Sequence, residues 1–146
     1  MKAEELWNRS GLNGHYESWA FGGNPDKLAD LVVRGIKTAT CSAYAFYETG
    51  EERTPEVGDY SVITDSSDDA VCIIRTTKVY VCPFDEVTAN HAYKEGEGDR
   101  SLKYWRKVHE EFFSQDLKSI NREFDEKMKV VCEEFELVYT AAGKMN

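Results

Sequence analysis

The chain has 146 residues, of which 41% are hydrophobic, 12% aromatic and 31% charged, and its net charge is −9. That length is one domain's worth and buries a core without disulfides or a structural metal, and the composition excludes a disordered tail. The negative balance repels a polyphosphate backbone, which excludes broad, sequence-blind nucleic-acid binding but leaves room for a local basic cleft.

The opening residues, Met1-Lys2-Ala3-Glu4-Glu5-Leu6-Trp7, are polar and have no apolar stretch behind them. No signal peptide or membrane span is expected, and a cytoplasmic location follows as the default. Gly22-Gly23-Asn24-Pro25 marks a turn, after which Asp26 can cap a helix. Leu28, Leu31 and Val32 recur at helical spacing up to Gly35, so a short helix is predicted over 27–34. Residues 36–47, rich in Thr, Tyr, Ala and Phe, read as strand or extended loop, and the polar stretch 49–56 with Pro55 reads as loop. Val57-Gly58-Asp59 launches a strand over 60–64, the turn at 65–69 follows, and 71–81 is a long β-rich run, which together predict a hairpin. Pro83 stops that run. A second helix is predicted over 84–93 with Asp85 as its cap, and Gly96 and Gly98 break it.

Asp99 or Ser101 then caps a third helix to about Phe113, with Leu102, Trp105, His109 and Phe112 along one face. From Val131 to Tyr139, Phe135, Leu137 and Tyr139 alternate with Glu134 and Glu136, which predicts a half-buried strand. Residues 140–146 read as a frayed tail. The order α–β–ββ–α–α–β predicts an α+β domain with an antiparallel sheet. A sheet of this size avoids exposed edges by curling, so a small β-barrel is expected.

Cysteines stand at 41, 72, 82 and 132, with no Cys-x-x-Cys pair. Zinc and thioredoxin-like chemistry are unsupported, reduced thiols are expected, and Cys72, Cys82 and Cys132 read as small buried side chains. No metal and no cofactor are expected.

Gly35-Ile36-Lys37-Thr38-Ala39-Thr40 is the first segment that could carry chemistry. A neutral lysine can take the proton of a threonine hydroxyl and make it nucleophilic. In a regular strand, residues three apart face opposite ways, so the segment must bend for Lys37 to reach Thr40. A helix C-terminus just upstream favours the charged lysine, which burial would have to overcome. The competing reading is a solvated lysine beside a strand threonine. The second segment is His91-Ala92-Tyr93-Lys94-Glu95-Gly96-Glu97-Gly98-Asp99-Arg100-Ser101. Its glycines admit a close backbone approach, a helix start at 99–101 can hold an anion, and a carboxylate here can move protons. A polar, capped inter-helix turn is the alternative. His91 and Glu95 lie four apart but fall short of a metal's ligand set. His109, on the apolar face beside Trp105, reads as a core histidine. Tyr44, Phe46 and Tyr47 either stack a base or fill the core.

Taken in order, these pieces resemble the ASCH domain family. The resemblance runs from about Leu28 to Tyr139 and adds Val57-Gly58-Asp59, Pro83-Phe84-Asp85-Glu86-Val87 and the stretch from Ser101 to His109 with Phe112-Phe113. It implies a PUA-like small β-barrel with flanking helices around a central cleft. One domain would fill 1–146, with a core over about 24–139, an N-terminal extension over 1–23 and a tail over 140–146. It also implies a link to RNA, with a nucleoside or single-stranded RNA in the cleft.

Relatives include amidohydrolases of N4-acetylcytidine and ribonucleases, and a non-catalytic RNA-binding module is the third possibility. The hydrolase pattern falls here on Lys37 as base, Thr40 as nucleophile and Glu95, in His91-Ala92-Tyr93-Lys94-Glu95, as proton shuttle. Tyr44, Tyr47, Glu97, Arg100 and Ser101 would bind substrate. In a ribonuclease, Lys37 and Arg100 would hold the phosphate, with Glu95 or Glu97 moving the proton. The longer 44–56 segment and the Glu-Gly-Glu-Gly-Asp loop depart from the small amidohydrolases and would reshape the cleft.

Overall fold

Short breaks at glycine, proline and acidic turns divide the described residues into five strands and five helices. The structure, a computed structural model, describes residues 1–50 and 52–143. In chain order these are α1 (Ala3–Ser10), β1 (Tyr16–Trp19), α2 (Pro25–Val33), β2 (Ala39–Ala43), α3 (Ala45–Glu48), β3 (Tyr60–Thr64) and β4 (Ala70–Pro83). A 3₁₀ turn at Phe84–Glu86 leads to α4 (Ala89–Glu95) and α5 (Leu102–Asp116), and a second at Leu117–Ile120 precedes β5 (Lys129–Thr140).

The expected α+β class is what forms, around a single sheet of order β1-β3-β4-β5-β2. The sheet is not a closed barrel. β1 pairs only with β3, in parallel, and β2 pairs only with β5, so the two short strands remain as separate edges among the described residues. Curling is still present. Register shifts at Ile73/Ile74, where Val138 of β5 is skipped, and at Thr76/Lys78, where Thr77 of β4 is skipped, bend the long β4–β5 ribbon, as bulges do. One half of the ribbon pairs with β3 and the other with β2.

Each half has its own core. Under α2, Leu28, Leu31 and Val32 meet Ile63, Cys72, Ile74, Phe135 and Phe21. Under α4 and α5, Val130 and Cys132 meet Phe84, Trp105, Phe113 and Leu117. The segment 1–23 supplies α1 and the edge strand β1, and Leu6 and Trp7 pack on Val62 and Ile73 from the opposite face.

Local chemistry set three helix boundaries. α2 starts at Pro25 because Asn24, not Asp26, caps it, accepting from Lys27 N at 3.3 Å. The second helix starts at Ala89 because the Thr88 side chain accepts from His91 N at 3.1 Å, while Val87 is extended (φ −61, ψ 133). The third is capped by Ser101 and runs on to Asp116. The frayed tail expected over 140–146 is in part ordered: Thr140 ends β5 and Ala141 N donates to Val71 O, while residues 144–146 lie outside the described residues. No helix among the described residues is long and apolar enough to cross a membrane.

Candidate active site

Lys37 lies between α2 and β2, in a segment held from both sides. Gly35 closes α2 at φ 77, and the amides of Ile36 and Lys37 both donate to Leu31 O. On the other side Thr38 N donates to Lys94 O at 2.7 Å, which straps the segment to the last turn of α4. Gly96 makes this approach possible. Its φ is 74, and a Cβ there would sit 2.6 Å from Ile36 O.

The bend required for Lys37 to turn inward is therefore present, and the lysine is not solvated. Its side chain is 1% exposed, as is that of Glu95. The ammonium lies 3.3 Å from Glu95 Oε1, 3.4 Å from Glu95 O and 3.0 Å from Glu97 Oε2. Three acceptors thus meet the three N–H donors of an ammonium. Phe21 closes a further side, its ring centre 5.2 Å from Nζ.

Four donors converge on Glu95. Oε2 accepts from Trp105 Nε1 at 2.6 Å and from His91 Nε2 at 2.8 Å, and Oε1 faces Lys37 Nζ at 3.3 Å and His109 Nε2 at 3.4 Å. Burial alone would push this carboxyl up. The charges of Lys37 and His109, with hydrogen bonds from both histidines, outweigh it and hold Glu95 well below the usual carboxylate range. Burial opposes the charged form of His109, yet Glu95 and Glu97 and the hydrogen bond to Trp105 O raise its pKa above the ordinary histidine value. His109 is thus a core histidine by burial and a partner of Glu95 by geometry.

Glu95, Glu97 and His109 bring candidate metal-ligand atoms within 4.8 Å of one another. Lys37 Nζ, however, already stands against both carboxylates, where a cation would bind. The cluster is an organised buried ion-pair network.

A cavity of about 310 Å³ opens above this network, lined by Lys37, Thr40, Cys41, Glu95, Glu97, His109 and Phe112. It shares Phe21, Gly22, Thr40, Cys41 and Phe112 with a larger chamber of about 740 Å³. The two adjoin as the halves of a cleft, and Thr40 is among the residues that line both. Its side chain makes no hydrogen bond among the described residues, including none to Lys37, so its hydroxyl is open to the cleft. Five acids, Glu17, Glu52, Asp59, Asp116 and Glu133, line the chamber against one cation, Arg53. Arg53 is already engaged by Asp59, Glu17 and Glu56 at 2.9, 3.5 and 3.5 Å.

The expected substrate-binding residues divide. Glu97 and Tyr47 line the cleft, and Tyr47 shares a 2.7 Å hydrogen bond with Ser42 while burial pushes its phenol up to about 12. Tyr44, Arg100 and Ser101 do not line it. The Tyr44 ring lies 5.7 Å from Lys129 Nζ. Arg100 stacks on Tyr93 at 3.6 Å and donates to Tyr93 O and Ile36 O. Ser101 is spent as the cap of α5.

The ASCH domain model matches residues 17–139. The chain belongs to the ASCH family. An ASCH domain from Lactobacillus crispatus is 32% identical with a TM-score of 0.85, over 92% of this chain and 92% of that one. A protein from Enterococcus faecalis is 35% identical with a TM-score of 0.82, over 92% of this chain and 84% of that one. No curated protein matches the chain. ASCH domains are PUA-like and are proposed to bind RNA.

Sequence reasoning did not single out two residues of this ASCH site, one behind Glu95 and one in the chamber. Trp105 was read only as part of an apolar stripe, yet its indole N–H makes the shortest hydrogen bond to Glu95. Glu133 was not singled out. Strand parity places it on the face of Phe135, which is 5% exposed, and that was the available signal.

Proposed function

We propose that the protein is a small hydrolase that cleaves an amide on a modified nucleoside, with N4-acetylcytidine as the type substrate. The observation that carries this reading is the meeting of a buried Lys37–Glu95–Glu97 network with the open Thr40 hydroxyl in one cleft. Resemblance to the amidohydrolase members of the family supports the choice of substrate.

Lys37 becomes a base by passing a proton to Glu97, 3.0 Å away and the more exposed of its two carboxylates at 18%. It then takes the Thr40 proton as Oγ adds to the acyl carbon. The tetrahedral adduct collapses, the C–N bond breaks, and Lys37 returns the proton to the leaving amine. Water hydrolyses the resulting threonine ester, releasing the carboxylic acid. Glu95 suits the role of anchor better than that of shuttle, because four donors keep it ionised.

A scissile phosphate finds less here. Lys37 is neutralised by two carboxylates, Arg100 is tied to backbone carbonyls away from the cleft, and the adjoining chamber is acidic. A free nucleoside carries no phosphate to repel. The four free cysteines suit a cytoplasmic setting.

The test is hydrolysis of N4-acetylcytidine, followed by chromatography, for wild type beside Lys37→Ala, Thr40→Ala and Glu95→Gln. Turnover that falls at least about 100-fold in each variant supports the reading. Absence of turnover by folded wild type overturns it.

A further inference from the structure

The mechanism uses one end of the cleft and leaves the chamber of about 740 Å³ without a role. That volume falls within the range of roughly 300–1,000 Å³ typical of small-molecule sites. Aromatic rings of Trp19, Phe46 and Phe112 line it, offering flat apolar surface. Glu133 reaches it from β5, directly opposite Thr40 in the β2–β5 register. Paired residues of this kind have Cβ atoms about 5 Å apart, so Glu133 and Thr40 stand side by side.

Glu133 has no cation within ion-pair distance among the described residues. Its one hydrogen bond is from Thr76 Oγ1 on β4, a long 3.4 Å to Oε1. The groups that act on it are Glu17 on β1, Asp59 ahead of β3 and the Cys132 thiol, and Tyr47 on α3 feels its charge in turn. Arg53 is held by Glu17 and Asp59. Burial pushes the Glu133 carboxyl up to about 7, against the Thr76 hydrogen bond, and the charges of Asp59 and Glu17 push the same way as burial. Near neutrality it therefore spends part of its time as a carboxylic acid, which offers one O–H donor beside one carbonyl acceptor.

We infer that the chamber around Glu133 is a nucleobase-recognition site, taking a neutral heterocycle whose edge sets a hydrogen-bond donor beside an acceptor, read by the Glu133 carboxyl. The choice of ligand class rests on the hydrolase reading. A ring seated over Glu133 between the aromatic side chains directs a substituent past Thr40 toward Lys37. The acidic lining works against nucleotides and favours ligands without phosphate. Only the protonated carboxyl matches such an edge at both positions, since the carboxylate accepts but cannot donate. Affinity for a neutral base therefore falls as pH rises through about 7.

Cytidine, which carries the edge without a cleavable acyl group, is the probe. Its affinity is to be measured by calorimetry at pH 6 and pH 8 for wild type, Glu133→Gln and Glu133→Ala, with each variant's fold checked by circular dichroism. The expected result is about tenfold weaker binding by wild type at pH 8 than at pH 6, set by the fraction protonated. Glu133→Gln, whose amide keeps a donor beside an acceptor, should bind equally at both, and Glu133→Ala weakly at both.

The inference is overturned by no cytidine binding by wild type, by affinity that ignores pH, or by a pH dependence that persists in Glu133→Gln. Turnover of N4-acetylcytidine that rises through pH 7 while cytidine affinity stays flat also overturns it, and makes Glu133 a base. Cytidine binding that depends on Glu133 without any hydrolysis of N4-acetylcytidine would sustain the recognition site and remove the hydrolase. Hydrolysis with a KM unmoved by Glu133→Ala would do the reverse.

Discussion

Two glutamates occupy the two ends of one cleft and are treated in opposite ways. Glu95 is the more deeply buried, yet four donors hold it ionised. Glu133 is less buried, but a single long hydrogen bond leaves burial to dominate, and its carboxyl rises to about 7. Depth alone therefore does not set the charge of a buried carboxyl; the number and sign of its neighbours do. One end is a fixed charge network and the other a group that can change its charge near neutral pH.

The contrast can be broken most sharply at Lys37. Removing one partner of a buried ion pair leaves the other charge uncompensated, so Lys37→Met should cost about 3–5 kcal/mol in urea unfolding. Part of that loss should return in the double variant with Glu95→Leu, which removes the stranded charge. Next, Trp105→Phe keeps an aromatic ring but deletes the 2.6 Å hydrogen bond to Glu95 and leaves part of the indole's space empty, and should cost at least about 2 kcal/mol.

The other end should respond with the opposite sign. Glu133 binds its proton more tightly in the folded chain than in the unfolded one. Its contribution to stability is thus present below the ordinary value of 4.5 and is lost as pH rises to about 7. Glu133→Gln should accordingly stabilise the protein by about 1–2 kcal/mol at pH 8 and by almost nothing at pH 4. Glu95 runs the other way: its contribution is present above the ordinary carboxylate range and is lost toward acid pH. Unfolding of wild type across pH should show both slopes, and only the upper one should vanish in Glu133→Gln. The smallest effect is expected at Arg53, which is 43% exposed; Arg53→Gln should cost less than about 1 kcal/mol.

The sequence carried the element order well, because helical spacing and strand alternation are local signals. The stripe Leu102, Trp105, His109 and Phe112 located the buried face of α5 but could not say that His109 and Trp105 point at a carboxylate. Lys37 and Glu95 are 58 positions apart, and no periodicity links them; spacing alone favours a solvated lysine. Their pairing came from the resemblance to relatives. Arg100 and Ser101 looked like ligand groups because they are polar and lie in a glycine-rich turn. The turn itself uses them, one against backbone carbonyls and one as a helix cap. The sheet was expected to close because exposed edges are unfavourable. Here both edge strands are short, four and five residues, which is another way to limit an edge.

The strap from Thr38 N to Lys94 O joins the segment after α2 to the end of α4, across the seam between the two core clusters. Neither half of the molecule can build the lysine pocket by itself. During folding, contacts across a loop this long follow those made locally, because the closure entropy must be met first. The ion-pair network is therefore expected to form after the local elements do. The Thr38 amide, bonded in that strap, is a native-state probe of it: its hydrogen exchange reports how rarely the two halves part.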